Sequence, residues 1–435
     1  MSATAIAALK AGWVWDSRGR PTVEAEVALA GGGRGRAIAP AGASRGTREA
    51  VELRDGGERF GGFGVARALA TINGPIARAL IGRDAGDQAA IDRQLIALDG
   101  TANKSKLGGN ATVAVSMAVA HAAAAANDMP LYRWLAESQG GAVGRLPLPE
   151  IQIFGGGAHA GRRVDIQDFM VVCPRAASFA EALAMTAEVY RAAGAALAEA
   201  GRLHGVADEG GFWPAFDSNE QALEAVLRAI ERAGYRPGED VAIALDVAAS
   251  EFRQDGRYRL ALDRRELDSD DMIAMILGWI DRYPIVSVED PLAEDDEQGM
   301  CRLTAAAGGR VQIVGDDYLV TDADLVRRAA AEGACNALLV KPNQRGTLTE
   351  ARAALEAARA AGYGAIVSAR SGESEDVTVA HLAIGWDAGQ LKVGSFSRSE
   401  RMAKWNEALR IEQALGDKAR FAGGSVLGPG WGKQP

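Results

Sequence analysis

The chain has 435 residues, 48% of them apolar and 24% charged, with a formal net charge of −9. That length exceeds one ordinary core and predicts two domains of a soluble globular protein, with no membrane partner. The acidic balance excludes a nucleic-acid surface, which needs a basic stripe, and an anionic substrate would need a locally positive site built from metal, Arg and Lys.

Residues 1–10 lack the basic start and long apolar run of a signal peptide. The period-two stretch Thr22–Leu29 alternates Val23, Ala25 and Val27 with Glu24 and Glu26, as a half-buried strand does. Gly31–Gly33 marks a turn, after which Arg36–Pro40 can pair back. Helical patterns follow over Gly64–Leu80, Asp84–Ala97, Asn110–Asn127 and Pro130–Gly140. The Ala-rich stretch Val113–Ala126 is too short to span a bilayer and reads as a buried helix. Strands followed by a run of helices predict an α+β cap domain over residues 1–140, with a linker at Gly140–Arg145.

From residue 141 to 435 the texture changes to short apolar runs separated by Ala- and Leu-rich amphipathic segments such as Asn219–Ala233 and Thr347–Ala361. The runs include Ile166–Cys173, Val241–Val247, Ile285–Glu289, Val311–Asp316, Ala337–Lys341, Ala365–Ser368 and Gln390–Val393. This alternation predicts parallel strands with crossover helices, and residues 141–415 match the roughly 250 residues of an eight-stranded β/α barrel. A doubly wound open sheet competes, but no Gly-rich nucleotide loop follows an early strand. Cys173, Cys301 and Cys335 are scattered and odd in number, without metal-ligand spacing, which fits a reduced, cytoplasmic setting.

Six runs end in or beside a chemically capable residue: Asp246, Glu289, Asp316, Lys341, Arg370 and Lys392. Their spacings, roughly 43, 27, 25, 29 and 22 residues, mostly approximate one β/α unit, so all six converge on the C-terminal mouth of a barrel. Any one of them alone reads equally well as a paired structural charge. Six in register do not. Asp246, Glu289 and Asp316 are hard oxygen donors with no His or Cys beside them, which favours Mg²⁺ over Zn²⁺. Lys341 and Lys392 face the same centre, and a lysine beside a divalent metal can serve as a base. The grouping suits removal of a proton α to a carboxylate.

Longer motifs run in order through nearly the whole chain. They are Asp16-Ser-Arg-Gly19 with Pro21–Glu24, Glu49–Gly56, Asp208–Phe212, Ala244–Phe252, Val288–Asp296, Gly315–Asp317, Lys341–Glu350, Arg370–Glu373 and Gly394–Arg398. This series resembles the enolase family. The resemblance implies an α/β fold: an N-terminal α+β cap followed by an eight-stranded enolase-type β/α barrel. It implies a hydro-lyase acting on a small anionic phosphorylated acid, with Asp246, Glu289 and Asp316 holding one Mg²⁺ and a second Mg²⁺ arriving with substrate. By the same resemblance Lys341 removes the C2 proton and Glu209 assists loss of the C3 hydroxyl. Lys392 meets the carboxylate, Arg370 and the Ser371 backbone meet phosphate, and His159 lies on a loop that closes over the site. Glu24 with Arg410 resembles a charged pair across a dimer interface, which implies a homodimer.

The pattern also breaks. Ala369 stands where the family has an active-site histidine, and Ala41 where it has a serine that helps bind the second metal. Asp168, near the leaving hydroxyl, is one methylene shorter than the family's glutamate, and Gly155 replaces an asparagine. Arg45, Arg162 and Arg163 add positive charge expected to face the space left at 369. Besides 2-phosphoglycerate dehydration, two further readings follow. One is a paralogue of secondary metabolism that dehydrates a more anionic acid, such as a carboxylated phosphonate. The other is a non-catalytic binding protein, against which the intact lysines and metal ligands argue.

Overall fold

The computed structural model describes residues 2–138, 140–141, 143–428 and 431. The expected linker at 140–145 includes Ala142, and the expected helix over 130–140 includes Gln139; both residues, like 432–435 at the expected end of the barrel domain, lie outside the described residues. The strands are β1 (Ile6–Trp15), β2 (Pro21–Leu29), β3 (Arg34–Ile38), β4 (Leu148–Gly155), β5 (Asp168–Val172), β6 (Ala242–Asp246) and β7 (Arg253–Gln254). They continue with β8 (Arg257–Leu260), β9 (Arg265–Leu267), β10 (Ile285–Glu289), β11 (Gln312–Gly315), β12 (Ala337–Val340), β13 (Gly364–Ser368) and β14 (Gly389–Ser395).

β1, β2 and β3 form an antiparallel sheet in that order. Val23, Ala25 and Val27 are buried on one face of β2, while Glu24 and Glu26 pair outward with Arg36 and Lys10. The helix Gly109–Ala126 packs on the buried face. A Cβ at Gly35 would lie 2.1 Å from the Ala118 carbonyl and 2.2 Å from the Ala122 nitrogen, so only glycine lets β3 meet this helix. The helix is 18 residues long and apolar enough to cross a membrane, longer than the stretch expected from sequence, yet 83% of it is buried in the fold. β1 was not anticipated. It is an edge strand with most positions exposed, and its sequence shows no period of two.

Eight of the remaining strands build a closed barrel in the order β4-β5-β6-β10-β11-β12-β13-β14, while β7, β8 and β9 form a separate antiparallel sheet. Helices cover it, and those at Phe179–Glu199, Asn219–Arg232, Ser269–Arg282, Glu297–Ala307, Ala323–Glu332 and Leu348–Ala360 each start on a Ser, Asp or Thr cap. Each such cap satisfies an orphan backbone N–H and contributes about 1 kcal/mol. Two expectations need correction. β4 had no counterpart among the predicted runs, because Pro149, Glu150 and Gln152 interrupt its apolar character although every residue in it is buried. β5 runs antiparallel to both β4 and β6 rather than parallel. The connection from β4 to β5 is short, and both helices that would separate parallel strands follow β5 instead.

Candidate active site

Strand direction decides which side chains meet. Asp246 and Glu289 end β6 and β10 as register partners, Asp316 directly follows β11, and Lys341 directly follows β12. Lys392 lies within β14, and Arg370 two residues beyond β13. Asp168 opens β5, but because that strand is reversed it pairs with Asp246 at the same mouth. All six strand-end charges predicted from spacing therefore arrive together, and Asp168 joins them as a seventh.

The two lysines divide the carboxylates between them. Lys392 Nζ lies 2.7 Å from Asp246 Oδ2, 2.8 Å from Glu289 Oε2 and 3.4 Å from Asp168 Oδ2. Burial works against its charge, but these carboxylates win and hold the amine well above its ordinary value. Lys341 Nζ is paired with Asp316 Oδ2, and Gln344 donates to Asp316 Oδ1 at 2.8 Å. Burial opposes the charge on Lys341 too, yet Asp316 raises its pKa, while Lys341 and Arg370 hold Asp316 below the usual carboxylate range. Among the described residues, the metal-ligating groups whose donor atoms close within 4.8 Å are Asp290 with Asp316 and Asp317, and His159 with Asp168 and Glu209. The triad expected for the metal is not drawn that tightly, since each member has taken the nearest cation.

The triad still fits a hard divalent ion. Glu289 Oε1 is buried without a hydrogen-bond partner, and burial together with Asp246 and Asp316 pushes this carboxyl well above its usual range. An unpartnered buried carboxylate oxygen facing two further carboxylates is the donor set that Mg²⁺ prefers. Asp290 supports it from behind, accepting the backbone N–H of Asp316 at 2.9 Å and of Asp317 at 2.7 Å. The second ion implied by the resemblance does not find its donor. Ala41 has no hydroxyl, and its N–H and C=O are both bonded to Gly372 at 2.8 Å. That carbonyl also accepts from Arg18 Nη2 at 2.9 Å.

At the other end of the site, Arg370 is engaged by the cap. Glu49 accepts from its Nη1 and Nη2 at 2.9 and 3.1 Å, Ser44 O from Nη2 at 2.9 Å, and Asn343 Oδ1 from Nη1 at 3.2 Å. Ser371 Oγ accepts from Ala43 N at 2.7 Å, and its carbonyl accepts from Arg401 at 2.5 Å. His159 sits in a short turn, buried, with Nε2 3.3 Å from Asp168 Oδ1 and Nδ1 3.8 Å from Glu209 Oε1. Burial disfavours its charge, but Glu209 and Asp168 outweigh this and raise its pKa to about 9. Asp168 is correspondingly lowered, against its burial, mainly by Lys392 and His159. A small cavity of about 20 Å³ is lined by Glu209, Lys341, Lys392, Asp246, Asp168, Arg370, Ser371 and Ala369, among others.

The three arginines expected to face this cavity do not. Arg45 pairs with Glu52 at 3.5 Å, Arg162 with Glu251 at 2.7 Å, and Arg163 lies over the Trp213 ring at 4.5 Å. Each has found an outward partner in reach of its long side chain. Within this chain Glu24 pairs with Arg36 at 3.5 Å and Arg410 with Glu407 at 3.0 Å.

Residues 144–429 match the family model described as "Enolase, C-terminal TIM barrel domain", and residues 6–135 the one described as "Enolase, N-terminal domain". The chain belongs to the enolase family. It is a Mg²⁺-dependent lyase of the dehydratase kind, and the family acts on small phosphorylated acids. Several residues of this site had been passed over in sequence. Glu49, Asp290, Gln344 and Arg18 lie inside motifs already noted, so their signal was present without a role. Gln167, which donates to Asp246 at 2.9 Å, and Gln152 beside His159 had none.

Two tests follow. Asp316→Asn preserves volume and removes one charge, so Mg²⁺ affinity measured calorimetrically should fall at least about 10-fold with the fold retained. Unchanged affinity would remove Asp316 from the metal site. For His159 the folded pKa is raised, so its contribution to stability is complete below about 6.5, its unfolded value, and is lost as pH rises through about 9. Urea midpoints of the metal-free protein should therefore decline more steeply over that window than those of His159→Gln, and equal slopes would refute the assignment.

Proposed function

We propose that this protein catalyses Mg²⁺-dependent dehydration of 2-phosphoglycerate to phosphoenolpyruvate, or of a close analogue, by C2 proton removal and loss of the C3 hydroxyl. The observation that carries the reading is that Lys341 and Glu209 line one small cavity together with Lys392 and the metal carboxylate Asp246. A base and an acid reaching the same confined substrate is what an elimination needs. When bound, Mg²⁺ stabilises the negative charge that builds on the substrate carboxylate as the proton leaves. Lys341 begins as an ammonium held by Asp316, and the nearby cations Arg370 and Lys392 favour its neutral form once that carboxylate is engaged elsewhere. Lys392 offers positive charge to the incoming carboxylate, and Glu209, 3.8 Å from His159, delivers the proton to the leaving hydroxyl. Arg370 and Ser371 are the phosphate end of this reading. One Mg²⁺ on Asp246, Glu289 and Asp316, a homodimer or higher homo-oligomer, and a cytoplasmic, reducing setting belong to the same proposal.

The test follows two partial reactions of 2-phosphoglycerate. Lys341→Ala should abolish exchange of the C2 proton with solvent, while Glu209→Gln should retain some exchange and lose elimination, each loss being roughly 10²–10⁴-fold. Exchange that survives in Lys341→Ala would sink the base assignment. A binding protein without catalysis would show neither reaction in any variant.

A second reading rests on Ala369, a methyl group on the cavity wall where the resemblance implies an imidazole. It is an analogue bulkier than 2-phosphoglycerate, such as a carboxylated phosphonate, filling the space that the ring would take. The outward arginines lend this reading no support, so it stands on shape alone. Ala369→His with Ala41→Ser should raise kcat/KM on 2-phosphoglycerate by about 10-fold or more and lower it on the bulkier acid. Wild-type turnover of 2-phosphoglycerate on the order of 10 s⁻¹ or faster, unchanged by the pair, would leave the simpler reading alone.

A further inference from the structure

Gln152 is fully buried on β4, the barrel strand with no clear sequence signal, and its side chain touches three parts of the elimination machinery at once. Its amide nitrogen lies 3.2 Å from His159 Nε2 and donates to Asp168 Oδ1. Its amide oxygen accepts the backbone N–H of Gly211 at 2.8 Å, in the loop that carries Glu209. That loop has little other freedom. Ser395 N donates to Glu209 O at 2.8 Å, Phe212 N donates to Ile153 O at 2.9 Å, and a Cβ at Gly211 would sit 2.3 Å from Gln152 Oε1.

The space that Gln152 fills is bounded by two small residues. Asp168 is the short acid at its position. Gly155 has no side chain, and a Cβ there would stand 3.4 Å from both Gln152 Nε2 and His159 Nε2 and 3.0 Å from Ala207 Cβ. Interiors are packed to the methylene, so a longer acid at 168 would press on the Gln152 amide, and a side chain at 155 would crowd Ala207 and stand in contact with that amide. Hydrogen bonding fixes its direction as well, because the amide oxygen is committed to a backbone N–H and the NH₂ group must face the acid, beside an imidazole whose Nε2 is also turned to Asp168.

We propose that Gln152 is a positioning residue for the elimination step, and that its length is matched to the short Asp168 so that Asp168, His159 and the Glu209 loop are held as one unit. The inference rests on the dehydration proposed above. It assigns Gln152 to the acid side of the reaction, where the hydroxyl leaves, and not to the Lys341 side, where the proton is taken. Loss of its hydrogen bonds leaves a buried carboxylate and a backbone N–H less well paired and lets the Glu209 loop shift, and small misplacements of a catalytic group are expensive in rate.

The experiment uses four variants of the full chain: Gln152→Met, Gln152→Asn, Asp168→Glu, and Gln152→Asn combined with Asp168→Glu. With 2-phosphoglycerate and Mg²⁺, Gln152→Met, which keeps volume but loses both hydrogen bonds, should lower kcat for elimination at least ~10-fold while KM and C2 proton exchange change less than about threefold. A general disturbance of the fold would lower exchange and elimination together, and that outcome overturns the proposal. Asp168→Glu and Gln152→Asn should each lose elimination, and the double variant should recover to within about threefold of wild type. Losses that multiply in the double variant also overturn it. If the wild-type protein neither exchanges nor eliminates, the dehydration reading fails, and the size match is then decided by thermal midpoints of the same proteins. Each of the two single substitutions should lower the midpoint by about 2–4 °C and the double variant should restore it, whereas additive drops refute the match.

Discussion

Charge balance at the barrel mouth governs this protein. Asp168, Asp246, Glu289 and Asp316 are all nearly fully buried, and the two ammonium groups beside them, Lys341 and Lys392, are buried as well. None of these groups would be tolerable alone in that setting, because removing an unpaired ion from water costs several kcal/mol even after relaxation. The fold solves the problem by register. Reversing β5 brings Asp168 level with Asp246, the pairing of β6 with β10 brings Glu289 level with Asp246, and β14 delivers Lys392 between them. The result is an arrangement in which every charge has a partner that a divalent ion or an anionic substrate can displace. Glu289, with one buried oxygen unpartnered, is the least satisfied member.

The cap completes the same balance from outside. Glu49 supplies the carboxylate for Arg370, Ala41 forms a two-way backbone bridge with Gly372, and Ser17 N–H donates to Glu373 O at 2.7 Å. These contacts join residues more than 300 positions apart in sequence and tie the cap to the barrel mouth. A buried pair such as Glu49–Arg370 is weak evidence for net stability, yet breaking it leaves an uncompensated charge. Its use is better sought in geometry: the guanidinium is held by four acceptors and so points one way. All four terminal N–H groups are spent on these acceptors, so an anion at this end meets the fixed charge of the guanidinium and gains its fork only by displacing one of them.

How much of this was legible depended on what each residue had to do. The strand-end charges could be found because a charged residue after an apolar run is a poor structural choice, and six at one rhythm have a single geometric explanation. β4 could not be found in the same way, since Glu150 and Gln152 point into a polar barrel interior and destroy the apolar run that marked its neighbours. Gln390 donates to Glu150 there at 2.7 Å, so the interruption is satisfied by a partner far away in sequence. The reversal of β5 was equally invisible, because strand direction is set by connections and not by composition. Arg45, Arg162 and Arg163 show the converse error. Proximity in sequence to an altered motif suggested a shared site, but long side chains on loops settle with whichever acid or ring is nearest.

The departures from the family pattern then take on a physical order. The metal carboxylates and both lysines are embedded in mutual ion pairs, where a change of one charge leaves another buried and unpaired, so they cannot drift singly. Ala369 and Ala41 have no such partners. The first replaces a polar group with a methyl on the cavity wall, and the second keeps only backbone bonds that any residue would make. Asp168 and Gly155 lie between these extremes: the first is hydrogen-bonded to the Gln152 amide, and a Cβ on the second would stand 3.4 Å from it, in contact. A cavity of about 20 Å³ holds about one water, so a three-carbon acid enters only if side chains or loops around it move. In the dehydration proposed above, the negative groups of an entering acid would stand where the carboxylates now meet Lys341 and Lys392, so the lysines would keep a partner throughout.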